Sequence, residues 1–242
     1  MFTVCIIICI EMRNERGIIM KLKSYVAKAG VCLGMCLMLC SCGDAAGSAA
    51  NATVLEAADV SSLELGEVSN ASFSMQYPSE DWYGDDGSNP LSIYYNATLG
   101  TNQAVNINVQ KSANYNAKLT EKDLKDVVAG LSDSENGLSV GLVKSELRAF
   151  NGETVLYFEM VSQMTDAVID YMLESGTWTQ DFIDSLGGRE VLLNIPPTDQ
   201  IMIYAVIDGG LYVYTGTYYE ADQKDIVLDC MTVLMQTTKS AN

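Results

Sequence analysis

The chain has 242 residues, 48% of them hydrophobic, a formal charge of −17 and no histidine. That length holds one large domain or two small ones, with enough apolar residues for a core. The missing histidine removes the commonest general base and zinc ligand. The acidic balance repels nucleic-acid phosphates and anionic headgroups, so no nucleic-acid partner is expected, and charged partners would be basic proteins or cations.

Residues 2–10 form an apolar run too short to span a bilayer, and Met20 offers a second start after it. Lys21, Lys23 and Lys28 then give a positive region ahead of an apolar stretch, 29–40. At about 12 residues, against about 20 for a spanning helix, that stretch has the length of a signal-peptide core. Four of the seven cysteines fall between residues 32 and 42. A structural metal site or disulfide there has no histidine or acidic ligand beside it. Leu39-Cys40-Ser41-Cys42 resembles a bacterial lipobox, with leucine at −3, small residues at −2 and −1, and cysteine at +1. Cys40 fits less well, because Leu39 would stand at its −1 position. The resemblance implies a diacylglycerol on the Cys42 thiol and cleavage between Ser41 and Cys42. The membrane is then a partner through the Cys42 lipid, and another envelope protein is a candidate partner. The expected location is the outer face of a bacterial cytoplasmic membrane, with a Gram-positive host favoured over an outer-membrane site.

On that reading residues 1–41 are a signal peptide, and only Cys230 survives beside the lipidated Cys42. Five of the 14 basic and two of the 31 acidic residues lie upstream. The cut chain therefore carries 9 basic and 29 acidic residues, a net charge of −20.

Residues 42–70 are rich in Ala, Ser, Gly and Asp and are expected to be a flexible tether, with an r.m.s. reach of roughly 30 Å. One domain is expected over 71–242. Phe73, Met75 and Tyr77 alternate with polar residues and predict a strand that ends at Pro78. Residues 81–90 are expected to be a turn-rich loop around Trp82. Strands follow at 91–95 and 104–110. Thr120 with an acid at Asp123 predicts a helix N-terminus, and Leu124, Val127, Val128 and Leu131 line its inner face. A strand is predicted over 138–150, with a bulge at Gly141. Asn151-Gly152 signals a hairpin into a strand over 154–164. Two short helices follow, stopped at Gly176 and at Gly187-Gly188. Strands at 200–208 and 211–219 are joined by Asp208-Gly209-Gly210. The last helix spans about 222–236, with Ile226, Val227, Cys230, Val233 and Leu234 inward.

The predicted order is βββ-α-ββ-(αα)-ββ-α. Hairpins dominate it, which gives the class α+β: an antiparallel sheet with helices packed on it. Phe73-Ser-Met-Gln-Tyr-Pro78 followed by Trp82 resembles the opening of PsbP-like domains. The Leu119-Thr-Glu-Lys-Asp-Leu124 helix start, the Asn-Gly hairpin, the late aromatic strands and the C-terminal helix resemble the rest of that plan, over about 70–238. The resemblance implies binding or scaffolding rather than one reaction, and it brings no catalytic residues or cofactor. The helical insert 165–197 departs from it.

Three sets of residues have functional chemistry to weigh. Asp81, Asp85, Asp86 and Asn89 offer oxygen ligands for Ca²⁺, but their spacing is not that of an EF-hand, and a solvated turn accounts for them. Tyr204, Tyr212 and Tyr214 could present a stacking platform for a sugar or peptide, or pack across a half-buried sheet. The 29 acidic residues of the cut chain leave a carboxylate-dependent hydrolase open without singling out a pair. A serine nucleophile has no Ser-x-x-Lys context to activate it. Cys230 reads as a core residue. The expectation is a non-enzymatic envelope lipoprotein without metal or cofactor. The alternatives are a receptor that uses the insert and the late strands, and the hydrolase.

Overall fold

Alternating apolar and polar residues commit several segments of this chain to strands that bury one face or both. The computed structural model describes residues 53–241 apart from 88, 89, 102, 132–139, 175 and 177. The signal segment, Ser41, Cys42 and Asn89 lie outside the described residues. The elements are β1 (Thr53–Val54), β2 (Leu65–Ser69), β3 (Phe73–Pro78), β4 (Trp82–Asp85), β5 (Leu91–Tyr95) and β6 (Asn106–Asn114). After them come α1 (Glu121–Leu131), β7 (Val140–Phe150), β8 (Glu153–Ser162), α2 (Asp166–Glu174), α3 (Gln180–Ser185) and α4 (Arg189–Leu193). The chain closes with β9 (Thr198–Ile207), β10 (Gly210–Tyr218), α5 (Gln223–Thr237) and β11 (Lys239–Ser240).

The class is α+β. Eight strands form one sheet in the order β1-β7-β8-β9-β10-β6-β5-β4, and a second sheet runs β11-β3-β2. All pairings are antiparallel except β1 on β7. Helix α5 lies between the sheets, against β3 on one side and β10, β9 and β6 on the other. This explains why Met231, Thr232 and Met235 are buried along with the predicted face: the helix is covered on two sides. Its close seat on the large sheet requires Gly216, where a Cβ would meet Val227 Cγ1 and come within 3.0 Å of Met231 Sδ.

The other face of the large sheet carries α1, whose Val127 and Leu131 pack with Leu156, Phe158, Met202 and Tyr204. The predicted capping motif is formed. Thr120 N and Oγ1 donate to Asp123 Oδ2 at 2.7 and 2.6 Å, which satisfies donors at the helix start. The predicted hairpin turns are also formed. Asn151-Gly152 and Asp208-Gly209 both hold left-handed pairs, with φ of 49° and 82°, then 48° and 73°.

Four expectations need correction. The expected tether 42–70 is ordered from residue 53. Thr53 and Val54 pair with Arg148 and Ala149, and Leu65–Ser69 pairs with β3. Val68 and Leu55 are core residues, two apolar side chains that a compositional reading of an Ala/Ser-rich stretch passes over. Residues 82–85 form an edge strand rather than a loop, because Trp82 is buried against Tyr95, their rings 5.3 Å apart. The bulge predicted at Gly141 falls at Val143, between Leu142 and Lys144, and turns Val143 outward. The insert holds three helices rather than two. Gly188, at φ 92°, ends one and starts the next.

Candidate functional site

The register of the large sheet tells which side chains share a face. On the side that bears α1, one row reads Met160 (β8), Gln200 (β9), Thr217 (β10), Asn106 (β6), Tyr94 (β5) and Tyr83 (β4). The next reads Phe158, Met202, Thr215, Asn108, Ser92 and Asp85. At the β8–β9 ends Met160, Phe158 and Met202 join the α1 cluster, with Gln200 as the one polar member there. From β10 to β4 the rows change to amides, hydroxyls and phenols. Asp85, at the sheet edge, is the sole charged member of the two rows.

These groups are wired together. Ser92 Oγ donates to Asn108 Oδ1 at 2.8 Å, Asn108 Nδ2 to Asn106 Oδ1 at 2.7 Å, and Asn106 Nδ2 to the Ala104 carbonyl at 3.0 Å. Gln200 Nε2 donates to Thr217 Oγ1 at 3.3 Å. Asn106, Asn108, Gln200 and Thr217 are buried, while Ser92, Tyr94, Gln110 and Thr215 remain partly exposed. Tyr83 is 53% exposed. Neither Tyr83 nor Tyr94 belongs to an apolar cluster. Where the insert leaves β8, Ser162 pairs with Thr198 at the root of β9. Ser162 is 3% exposed, and its hydroxyl has no hydrogen-bond partner. A buried hydroxyl left that way costs about 1–3 kcal/mol unless something outside the chain satisfies it.

The signal for this surface was present in Asn106-Ile-Asn-Val-Gln110, where one side of the strand is wholly amide. A search for ionisable or aromatic clusters does not register it.

The tyrosines singled out from the sequence are not a platform. Tyr212 and Tyr214 face α5 and are fully buried; Phe73 packs edge-on against Tyr212 with ring centroids 5.3 Å apart. Tyr204 points to the opposite face of the sheet, edge-on to Phe158 at 5.8 Å. Burial drives the phenols of Tyr204 and Tyr214 far above their ordinary range. Asp81 precedes β4 and Asp85 ends it, so a strand of about 3.3 Å per residue keeps them well over 10 Å apart. Asp86 Oδ1 accepts from Ser69 N at 2.7 Å, which makes it a loop brace. Among the described residues no group of three or more acidic or cysteine side chains gathers as a metal site. Burial, reinforced by the charge of Asp229, raises the Cys230 thiol well above its ordinary value, so it is an inert core residue.

Gathered charges elsewhere are compensated. On the α5 face, Glu146 accepts from Lys144 and Arg148, and Arg148 stacks on the Tyr157 ring at 3.4 Å. Tyr157 donates to Glu159 at 2.9 Å, and Lys224 pairs with Glu159 at 2.8 Å. Burial pushes the Glu159 carboxyl up, but its bonds from Lys224 and Tyr157 outweigh that, and the group ends below its ordinary value. In the insert, Arg189 grips Asp166 and Asp170 at 2.6 and 2.7 Å. Beneath that clamp the insert has its own core of Met164, Val168, Ile169, Met172, Trp178, Ile183, Leu186 and Leu192.

No family model matches the chain, and no curated protein matches it. Among solved structures, the chain is similar to the PsbP of the cyanobacterium Synechocystis sp. PCC 6803, at 15% identity and TM-score 0.41, covering 77% of this chain and 98% of that one. It is similar to LpqN of Mycobacterium tuberculosis, a protein involved in cell envelope biogenesis, at 12% identity and TM-score 0.40, covering 74% and 92%. It is also similar to the Ran-binding protein Mog1p of Saccharomyces cerevisiae, at 8% identity and TM-score 0.37, covering 74% and 96%. None of these scores reaches 0.5, and nothing about this chain's activity follows from them.

Proposed function

We propose that this chain is a lipid-anchored, extracytoplasmic binding protein of PsbP-like architecture that carries out no chemistry of its own. Cys42 would carry the anchor, and the neutral half of the large sheet would be the contact surface. One observation carries the reading: from β10 to β4 a sheet face keeps hydrogen-bonding side chains and two tyrosines outside every apolar cluster. A face meant only for the core would be apolar there, as the opposite face is. Binding rather than catalysis is supported by the pairing of the gathered carboxylates. Glu146, Glu159, Asp166 and Asp170 are all held by cations, where a hydrolase would need an acid and a base left available to substrate.

A photo-reactive residue at Thr215 tests the surface in intact cells. The expected result is an adduct with an envelope component, against none from the same group at exposed Glu121 on α1. No adduct at Thr215 above the Glu121 control would remove the assignment of this face.

A further inference from the structure

We infer that the insert, residues 163–197, is a second folding unit that opens and refolds by itself while both sheets stay intact. It has a core of its own. Eight buried side chains, from Met164 to Leu192 with Trp178 among them, pack as one cluster, and none of them belongs to either cluster of the sheets. Its bonding is equally self-contained. Trp178 N donates to the Met172 carbonyl at 2.9 Å, and the Trp178 and Phe182 rings pack with centroids 5.5 Å apart. Arg189, the first residue of α4, reaches back to Asp166 and Asp170 on α2, and its Nη2 also donates to the Asp166 carbonyl at 3.1 Å. The side-chain bonds of Thr165, Gln180 and Asn194 likewise close within the insert.

The attachment lets this unit open alone. The chain leaves β8 at Ser162 and re-enters β9 at Thr198, and these two residues are register partners. The β8–β9 ladder therefore closes beneath the insert, and no strand pair breaks when the insert unfolds. The sheet is then left with a loop of 35 residues, and the cost of closing a loop rises only slowly with its length. The Ser162 side chain fastens nothing across the junction, because its buried hydroxyl has no partner. The unit is also weak. Folded units below about 40 residues usually need a disulfide or a metal, and 163–197 contains no cysteine. Six acidic residues stand there against Arg189, a net charge of −5. Arg189 is thus the one cation of the insert, and it joins the first helix to the last. A small, self-repelling core on an intact scaffold opens at a lower free energy than the scaffold itself.

The chain carries one reporter in each unit. Of its two tryptophans, Trp82 lies in the main core and Trp178 in the insert. The test labels the full-length chain with fluorotryptophan, assigns its two fluorine resonances with Trp178→Phe, and follows both through a urea titration. The Trp178 resonance should unfold at lower urea than that of Trp82. Arg189→Met removes the clamp at a partly exposed position, so it should lower the Trp178 midpoint and leave the Trp82 midpoint in place. Hydrogen exchange on the unlabelled wild-type chain is a second measure that needs no substitution. Amides of α2 and α4 should exchange at least about tenfold faster than those of β8 and β9, as a local opening requires. Coincident midpoints for the two tryptophans overturn the inference. So does an equal shift of both midpoints by Arg189→Met, or protection of the α2 and α4 amides as strong as that of β8 and β9.

Discussion

The buried phenol of Tyr214 lies 2.8 Å from Thr238 Oγ1, and Thr238 gives its own proton to the Leu234 carbonyl at 2.7 Å. Tyr214 is therefore the donor of the pair. Tyr214→Phe removes one net hydrogen bond and leaves the ring packing intact, so urea unfolding should show a loss of about 1 kcal/mol. Tyr214→Ala empties the space as well and should cost about 3–5 kcal/mol, as large-to-small changes in cores do. Glu159 works through charge instead. Its folded-state carboxyl lies below the ordinary 4.5, although burial alone would raise it, because Lys224 and Tyr157 bond to the ionised form. A carboxyl with a depressed folded value stabilises the fold above its unfolded pKa, and that contribution disappears as pH falls through the folded one. Glu159→Gln should therefore be less stable than wild type at pH 7. The difference should shrink as pH drops below about 4.5, as followed by thermal melts across that range.

At the scale of elements, one glycine fixes the seat of α5. With Gly216→Ala, the new methyl meets Val227 and Met231 at the point where helix and sheet touch. Overpacking of this kind costs about 1–3 kcal/mol. Adding Val227→Ala should recover part of the loss, and a double-mutant cycle on denaturation midpoints measures the coupling. Most elements were legible in the sequence because local chemistry and tertiary need agree in them: the Thr120–Asp123 cap, the two left-handed turns and the alternation in β3 and β6. The failures have a common physical cause. β1 and β2 hold few apolar residues, and it is pairing with distant strands, β7 and β3, that orders them. Trp82 reads as a loop residue until Tyr95 is placed beside it. In each case the deciding contact is long-range and leaves no local period.

For the molecule as a whole, the candidate face was legible strand by strand but not as a surface. Asn106 and Asn108 stand out in β6, Thr215 and Thr217 in β10, and Ser92 and Tyr94 in β5. Only the order β10-β6-β5-β4, which is not the order of the sequence, sets them side by side. The same long-range pairing moves the start of the folded unit to residue 53 and shortens the link to the proposed anchor. Ten residues, 43–52, separate Cys42 from β1. Even fully extended they span no more than about 35 Å, whereas a free tether ending at residue 70 would have allowed nearly three times that. A chain lipidated at Cys42 must therefore hold the β1 edge of its sheet near the headgroups. A fluorophore at exposed Leu63, introduced as Leu63→Cys with Cys230 buried and unreactive, should transfer energy to acceptor lipids in vesicles. Cys42→Ala should abolish the transfer and release the protein from the membrane fraction. Equal transfer with and without Cys42 would mean that the anchor lies elsewhere. A lipidated chain that gives none would mean that the β1 edge does not face the bilayer.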